Sequence, residues 1–225
     1  MQLHVPLAQE QVDCARGVHL KLKQWRLAES ALEKLAEQFP GFTPEACLLK
    51  TVTVNEIYGT QLFATARMAR HVETIFADAN TSPVDVDLVE RIAKLPTKLG
   101  DKQRLSVSFA SKFCHFFVNA ERFPIYDDAA RDAIRLHLGA DAYRVNNDNR
   151  YRAFCENFQR LCRLAKLRCT TKELDQYLWL TGMYMRWRKN NPRVNEELRG
   201  LFLQRPPDAE FVAMLPDHLA VTILD

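Results

Sequence analysis

The chain has 225 residues, 47% hydrophobic and 26% charged with only seven glycines, which is the composition of a soluble, ordered, helix-rich protein. Its 31 basic and 28 acidic residues leave a net charge of +3, too mild to argue for nucleic acid except through a local concentration of charge. No signal-peptide pattern opens the chain and no apolar run is long enough to span a bilayer, so a cytoplasmic protein with its six cysteines reduced is expected.

Residues 7–39 read as one or two amphipathic helices ended by Pro40-Gly41. Thr43-Pro44-Glu45 opens the next helix with an N-cap and a proline at its first position. The run 44–77 is nearly free of polar residues in its middle and reads as a helix buried on most sides. Gly59 within it costs roughly 1 kcal/mol against alanine, so it marks either a close contact or a break. Asn55 and Tyr58, on either side of Ile57, read as a satisfied polar group and a packing ring, or as groups that meet a ligand. A third helix fits 83–93 with Ser82 as its cap, and the following stretch 95–104 concentrates Lys98, Lys102 and Arg104 beside Lys94.

The segment 106–134 organises the rest. Phe109, Phe113, Phe116 and Phe117 recur at spacings of three and four, which makes one apolar stripe on a helix that also carries Lys112. Pro124 biases Phe123 towards an extended backbone and ends that helix. A new helix then starts with Asp127 or Asp128 as N-cap and stops at Gly139. After a polar loop over 139–149, a helix over 150–168 puts Phe154, Phe158, Leu161, Cys162, Ala165 and Cys169 on one face. Arg152, Arg160, Arg163 and Lys166 spread over the other, a solvated surface or a nucleic-acid contact. Thr170-x-x-Glu173 is a capping box for the next helix, while Pro192 and Pro206-Pro207 limit the tail to short helices.

Nothing alternates at the period of a strand, so the expected class is all-α. The chain reads as a single compact helical unit with possible lobes at 44–138 and at 1–43 plus 139–225. Cys155, Cys162 and Cys169 are spaced by sevens, about 10.5 Å of helical rise, too far to share one ion or a disulfide. Cys114-His115 lacks further ligands, and glycine-rich phosphate loops, H-E-x-x-H and G-x-S-x-G are all missing. Neither a metal nor a cofactor is expected.

The order of these features resembles the helix-hairpin-helix DNA glycosylase superfamily, the group of endonuclease III and the mismatch adenine glycosylases. Ser108-Phe109-Ala110-Ser111 is similar to the start of the family's post-hairpin helix, and Phe123-Pro124-Ile125-Tyr126-Asp127 resembles its aspartate turn, with Arg131 in the helix beyond. Tyr177-Leu178-Trp179-Leu180-Thr181-Gly182 looks like its final core helix, and 55–60 falls where the family has a polar phrase. Two features depart from the pattern: the hairpin segment at 95–102 has one glycine instead of two, and the four-cysteine iron–sulfur loop is absent.

The resemblance implies a two-lobed helical fold that hydrolyses the N-glycosidic bond of a base flipped out of DNA. Asp127 would be the catalytic carboxylate. Lys112 would bind phosphate, pair with Asp127 or act as a displaced nucleophile, and Ser108 stands where strand-cutting members carry lysine. Tyr58, Tyr126, Trp179 and Asn55 would meet the base. Lys98, Lys102, Arg104, Arg131 and Arg163 would meet the backbone. Two other readings stay open: a non-catalytic nucleic-acid-binding module, and a helical interaction protein in which Asp127 is only a cap. DNA is the expected partner, and the sequence is silent on oligomeric state.

Overall fold

A computed structural model describes residues 2–78, 85–96, 105–146, 148–191 and 194–224. Every regular element among them is a helix, so the protein is all-α. In chain order these are α1 (Gln9–Lys21), α2 (Lys23–Gln38), α3 (Pro44–Tyr58), α4 (Thr65–Ala77), α5 (Asp87–Ala93) and α6 (Val107–Phe117). There follow α7 (Asp128–Leu138), α8 (Arg150–Ala165), α9 (Thr171–Arg188), α10 (Glu196–Leu203), α11 (Ala209–Met214) and α12 (Asp217–Leu224). None of the described helices is long and apolar enough to cross a membrane.

The helices gather into two compact units, one comprising Met1–Leu27, Asp127–Val145 and Phe154–Asp225, the other Ala28–Tyr126 and Asn146–Ala153. The division therefore falls between Tyr126 and Asp127, where the sequence suggests a lobe running on to 138. The reason is α7, whose main partner is α9.

In the first unit α1, α7, α9 and α11 pack together. Val12, Ala15 and Val18 of α1, Ala133 and Ile134 of α7, and Leu174 and Leu178 of α9 are buried. Tyr184 meets the rings of Phe202 and Phe211 edge-on, at 5.4 and 5.3 Å between centroids. Full burial of a Val, Ile, Leu or Phe side chain contributes about 1.5–3 kcal/mol. Gly182 lets α9 lie directly on α7: a Cβ there would stand 2.1 Å from the carbonyl oxygen of Ala129. The capping box of α9 forms, with Thr170 Oγ1 accepting from the Glu173 N–H and the Glu173 carboxylate accepting from the Thr170 N–H.

The second unit is built from α3, α4, α5 and α6. Phe42 stacks on Phe76 at 3.6 Å and leans on Phe113, while Phe109 and Phe113 of the predicted stripe are fully inside. Thr43 caps α3 by accepting from the Ala46 N–H at 3.3 Å, with Pro44 at the first helical position.

Two helix boundaries and the burial of one helix differ from the sequence reading. The run 44–77 is two helices, because Gly59 takes a left-handed φ of +53° and ends α3. Nor is α3 buried on most sides: Leu48, Leu49 and Val52 remain 42, 41 and 44% exposed. Finally, α8 stops at Ala165 because Lys166 turns to φ +55°, which leaves Cys169 beyond the helix. The expected caps of the third helix, Ser82 and Pro83, lie outside the described residues, and α5 is described from Asp87.

Candidate active site

The turn from Phe123 to Asp127 lies between the end of α6 at Phe117 and the start of α7. The N–H groups of Val118 and Asn119 both donate to the Cys114 carbonyl, which closes the last turn. Phe123 is then fully buried. Its carbonyl is bonded by His115 Nδ1 at 2.9 Å, and since a carbonyl only accepts, Nδ1 carries the proton. The Tyr151 hydroxyl donates to the Pro124 carbonyl at 2.9 Å. The Tyr126 N–H donates to Ser111 Oγ at 3.0 Å. Three backbone polar groups of the turn are thus held by side chains of the second unit.

Asp127 follows as the N-cap of α7, where its Oδ1 accepts from the Ala130 N–H at 2.7 Å. Its side chain is half-buried, and Oδ2 takes no hydrogen bond among the described residues. The N-terminal end of a helix suits a negative group, because backbone N–H dipoles converge there. The result is a carboxylate of fixed position with one oxygen in reserve.

A second cluster lies on α6 and α3 within the second unit. Lys112 is only 4% exposed; its Nζ donates to Ser108 Oγ at 2.9 Å and sits 5.4 Å from the centre of the Tyr58 ring. Ser111 Oγ donates to the Ser108 carbonyl at 3.2 Å while it accepts from Tyr126. Four predicted site residues, Tyr58, Ser108, Lys112 and Tyr126, are therefore joined by one chain of contacts through Ser111. A cation over an aromatic face contributes roughly 0.5–2 kcal/mol, the larger figure applying away from water.

The family HI_0787_N, described as an N-terminal domain, matches residues 10–122, half of the chain. The chain belongs to the HI_0787_N family. A protein of Haemophilus influenzae, itself named only as uncharacterised, is 32% identical over 135 residues, which cover 57% of this chain and 62% of that relative. The chain thus spans less than two thirds of the relative's length. No solved structure matches. The HI_0787_N match takes in Asn55, Tyr58, Ser108 and Lys112 but ends before Tyr126 and Asp127.

Other predicted residues are placed elsewhere. Asn55 Oδ1 accepts from Thr60 Oγ1 at 2.7 Å and from the Leu62 N–H at 2.8 Å, so its amide organises the turn after α3. Trp179 of α9 packs edge-on against Trp25, 4.5 Å between centroids, and against His19 at 6.3 Å. Arg131 donates to Asp128 at 2.7 Å, one turn along α7. Arg163 is exposed near the end of α8. Lys98, Lys102 and Arg104, with the hairpin they belong to, lie outside the described residues.

Several polar groups of these two units escaped the sequence reading. Lys50 of α3 is 2% exposed; its Nζ donates to the Gly41 carbonyl at 2.7 Å and faces the rings of Phe42 and Phe117 at 4.7 and 5.1 Å. Burial lowers its pKa from the ordinary lysine value. A lone lysine in an apolar helix was the available signal. Glu90, also buried, accepts from the Tyr151 N–H at 2.6 Å and so fixes the start of α8. In the first unit His137 is fully enclosed between the Val5 carbonyl and the Tyr177 hydroxyl, each at 2.9 Å. Burial pulls its pKa down to about 4, so it is neutral at pH 7. The six cysteines are free thiols; burial pushes Cys47 up to about 11 and raises Cys114 further, which leaves both unreactive.

Proposed function

We propose that the chain is a base-excision N-glycosylase acting on DNA, with Asp127 as its catalytic carboxylate. One observation carries the reading: a turn pinned at Phe123, Pro124 and Tyr126 presents Asp127 with a single oxygen bonded, to Ala130, and the other in reserve. The resemblance of Phe123-Pro124-Ile125-Tyr126-Asp127 to a glycosylase aspartate turn supports it from the sequence side.

The chemistry follows from what such an oxygen can do. As the bond between C1′ and the base nitrogen breaks, its electron pair leaves with the base and C1′ becomes cationic. A fixed carboxylate stabilises that cation more strongly in a partly dry site than in water. The oxygen of a water molecule then bonds to C1′, its proton passing to Asp127 and ending on the departed base. The base must leave the duplex stack for any of this to happen. Tyr58 or Tyr126 would supply the ring that stacks on the base, since Trp179 packs against Trp25 and His19 instead, and Arg131 and Arg163 are the proposed phosphate contacts. Lys112 is held by Ser108 over Tyr58 and is not proposed as the nucleophile.

The test is base release from duplexes containing uracil, alkylated purines, 8-oxoguanine or adenine mismatches, with alkali to cut at abasic sites. Release by wild type and not by Asp127→Asn is expected. Equal release by both would overturn the role of Asp127. No release, with binding that weakens steeply as salt is added, would leave a nucleic-acid-binding module instead. Strand cutting without alkali would make Lys112 the nucleophile.

A further inference from the structure

The N-terminal half of α7, which Asp127 caps, is gripped by α9 at two points one helical turn apart. At Gly182 the grip is backbone contact: a Cβ there would be 2.1 Å from the oxygen, 2.5 Å from the carbonyl carbon and 2.8 Å from the Cα of Ala129. No residue larger than glycine fits without moving the α7 backbone. At Arg186 the grip is ionic. Its Nε and Nη2 both donate to Asp132 Oδ2, at 3.1 and 2.7 Å, and Nη2 stands 4.0 Å from Asp128 Oδ2. The guanidinium is about three-quarters buried, its side chain 22% exposed, while the two carboxylates are roughly half exposed.

Residues 128 and 129 belong to the turn that Asp127 begins, and residue 132 stands one turn further along α7. Gly182 sets how near α7 lies to α9. Arg186 sets how α7 is rotated about its own axis, because two N–H groups converging on one oxygen tolerate little twist. We infer that Arg186, with Gly182 as the seat beneath it, is the positioning residue for the Asp127 carboxylate. The inference rests on Asp127 being catalytic for its effect on rate, though the mechanical hold can be measured without that. Arg186 touches no reacting atom; it acts through α7. Displacing a catalytic group by about 1 Å can cost on the order of 100-fold in rate.

The experiment compares Arg186→Gln and Arg186→Lys with wild type in single-turnover base release at saturating DNA, alongside DNA affinity. It also follows hydrogen exchange at the Ala130 amide, the donor to Asp127. Arg186→Gln should slow release by about 10- to 100-fold with affinity unchanged within about twofold, and Arg186→Lys should recover most of the rate. Exchange at Ala130 should quicken about tenfold in Arg186→Gln and return towards wild type in Arg186→Lys. An unchanged rate, or a loss of affinity equal to the loss of rate, would overturn the assignment. If wild type releases no base, the glycosylase reading fails by itself and the exchange data decide: faster exchange rescued by lysine upholds the positioning role, unchanged exchange removes it.

Discussion

Two turns follow two neighbouring helices of the second unit, and they are held in opposite ways. The turn after α3 is organised from within: Asn55 spends its side-chain oxygen on Thr60 and Leu62, and its amide N–H reaches the Leu62 carbonyl at 3.4 Å. The turn after α6 is organised from outside, by His115, Tyr151 and Ser111, so that its own terminal carboxylate gives only one oxygen to structure. A polar side chain that does its own scaffolding has little left for a ligand. One whose scaffold is supplied by neighbours keeps its valence. The difference explains why Asp127 and not Asn55 carries the functional reading, though the sequence offered both.

The largest expected effect concerns Asp127. Asparagine caps helices as well as aspartate does, so Asp127→Asn should leave the melting temperature within a degree or two while base release falls by about 100- to 1000-fold. Release and calorimetry on the same preparation check this; a large drop in melting temperature with release intact would make Asp127 another Asn55.

Acid should loosen the far end of the same helix. The His137 pKa is lowered in the folded protein from the ordinary value of 6.5 to about 4, so its contribution to stability is complete above pH 6.5 and is lost as pH falls from 6.5 to about 4. The unfolded chain binds the extra proton over that window, and a shift of this size corresponds to about 3 kcal/mol. Urea unfolding of wild type and His137→Gln at pH 7 and pH 4.5 checks it, the variant being expected to lose most of the slope.

Asn55→Ala should cost about 2 kcal/mol, because the Leu62 N–H and the Thr60 hydroxyl lose their acceptor together. At temperatures well below melting it should leave base release within about twofold, and thermal unfolding with a release assay reads both. The smallest effect is expected from Ser111→Ala, about 1 kcal/mol for one backbone N–H left without its partner. It should be visible as faster hydrogen exchange at Tyr126. Were Ser111→Ala as costly as Asn55→Ala, the outside scaffold would be as concentrated as the inside one and the contrast would fail.

Much of the fold was legible because local chemistry and tertiary packing agree. Thr43-Pro44, Thr170-x-x-Glu173, Asp127 and Gly139 act as helix starts and stops in the positions their residue types dictate. The four-phenylalanine stripe of α6 is also real: Phe109 and Phe113 are buried, and Phe116 and Phe117 are half-buried. Other features were invisible for a physical reason. Whether the apolar run 44–77 continues through Gly59 depends on the backbone conformation of that one residue. That Leu48, Leu49 and Val52 stay exposed depends on where other helices stop, which periodicity does not encode. At the site, the aspartate turn could be read locally, but its anchors come from residues 111, 115 and 151, and no spacing rule links those to 123–127. Lys50 and Glu90 are charged groups in sequence and buried groups in the fold, and their backbone partners at Gly41 and Tyr151 make that tolerable.

The thiols give the molecule a clock of its own. Cys14, Cys162 and Cys169 of the first unit are half-buried, whereas Cys155 of the same unit and both cysteines of the second unit, Cys47 and Cys114, are sealed inside. A thiol-reactive dye added to the native protein would therefore label positions 14, 162 and 169 early, and label positions 47 and 114 only as fast as the helices around them come apart. The lag between the two sets of labels measures, without any engineered probe, how often the second unit opens.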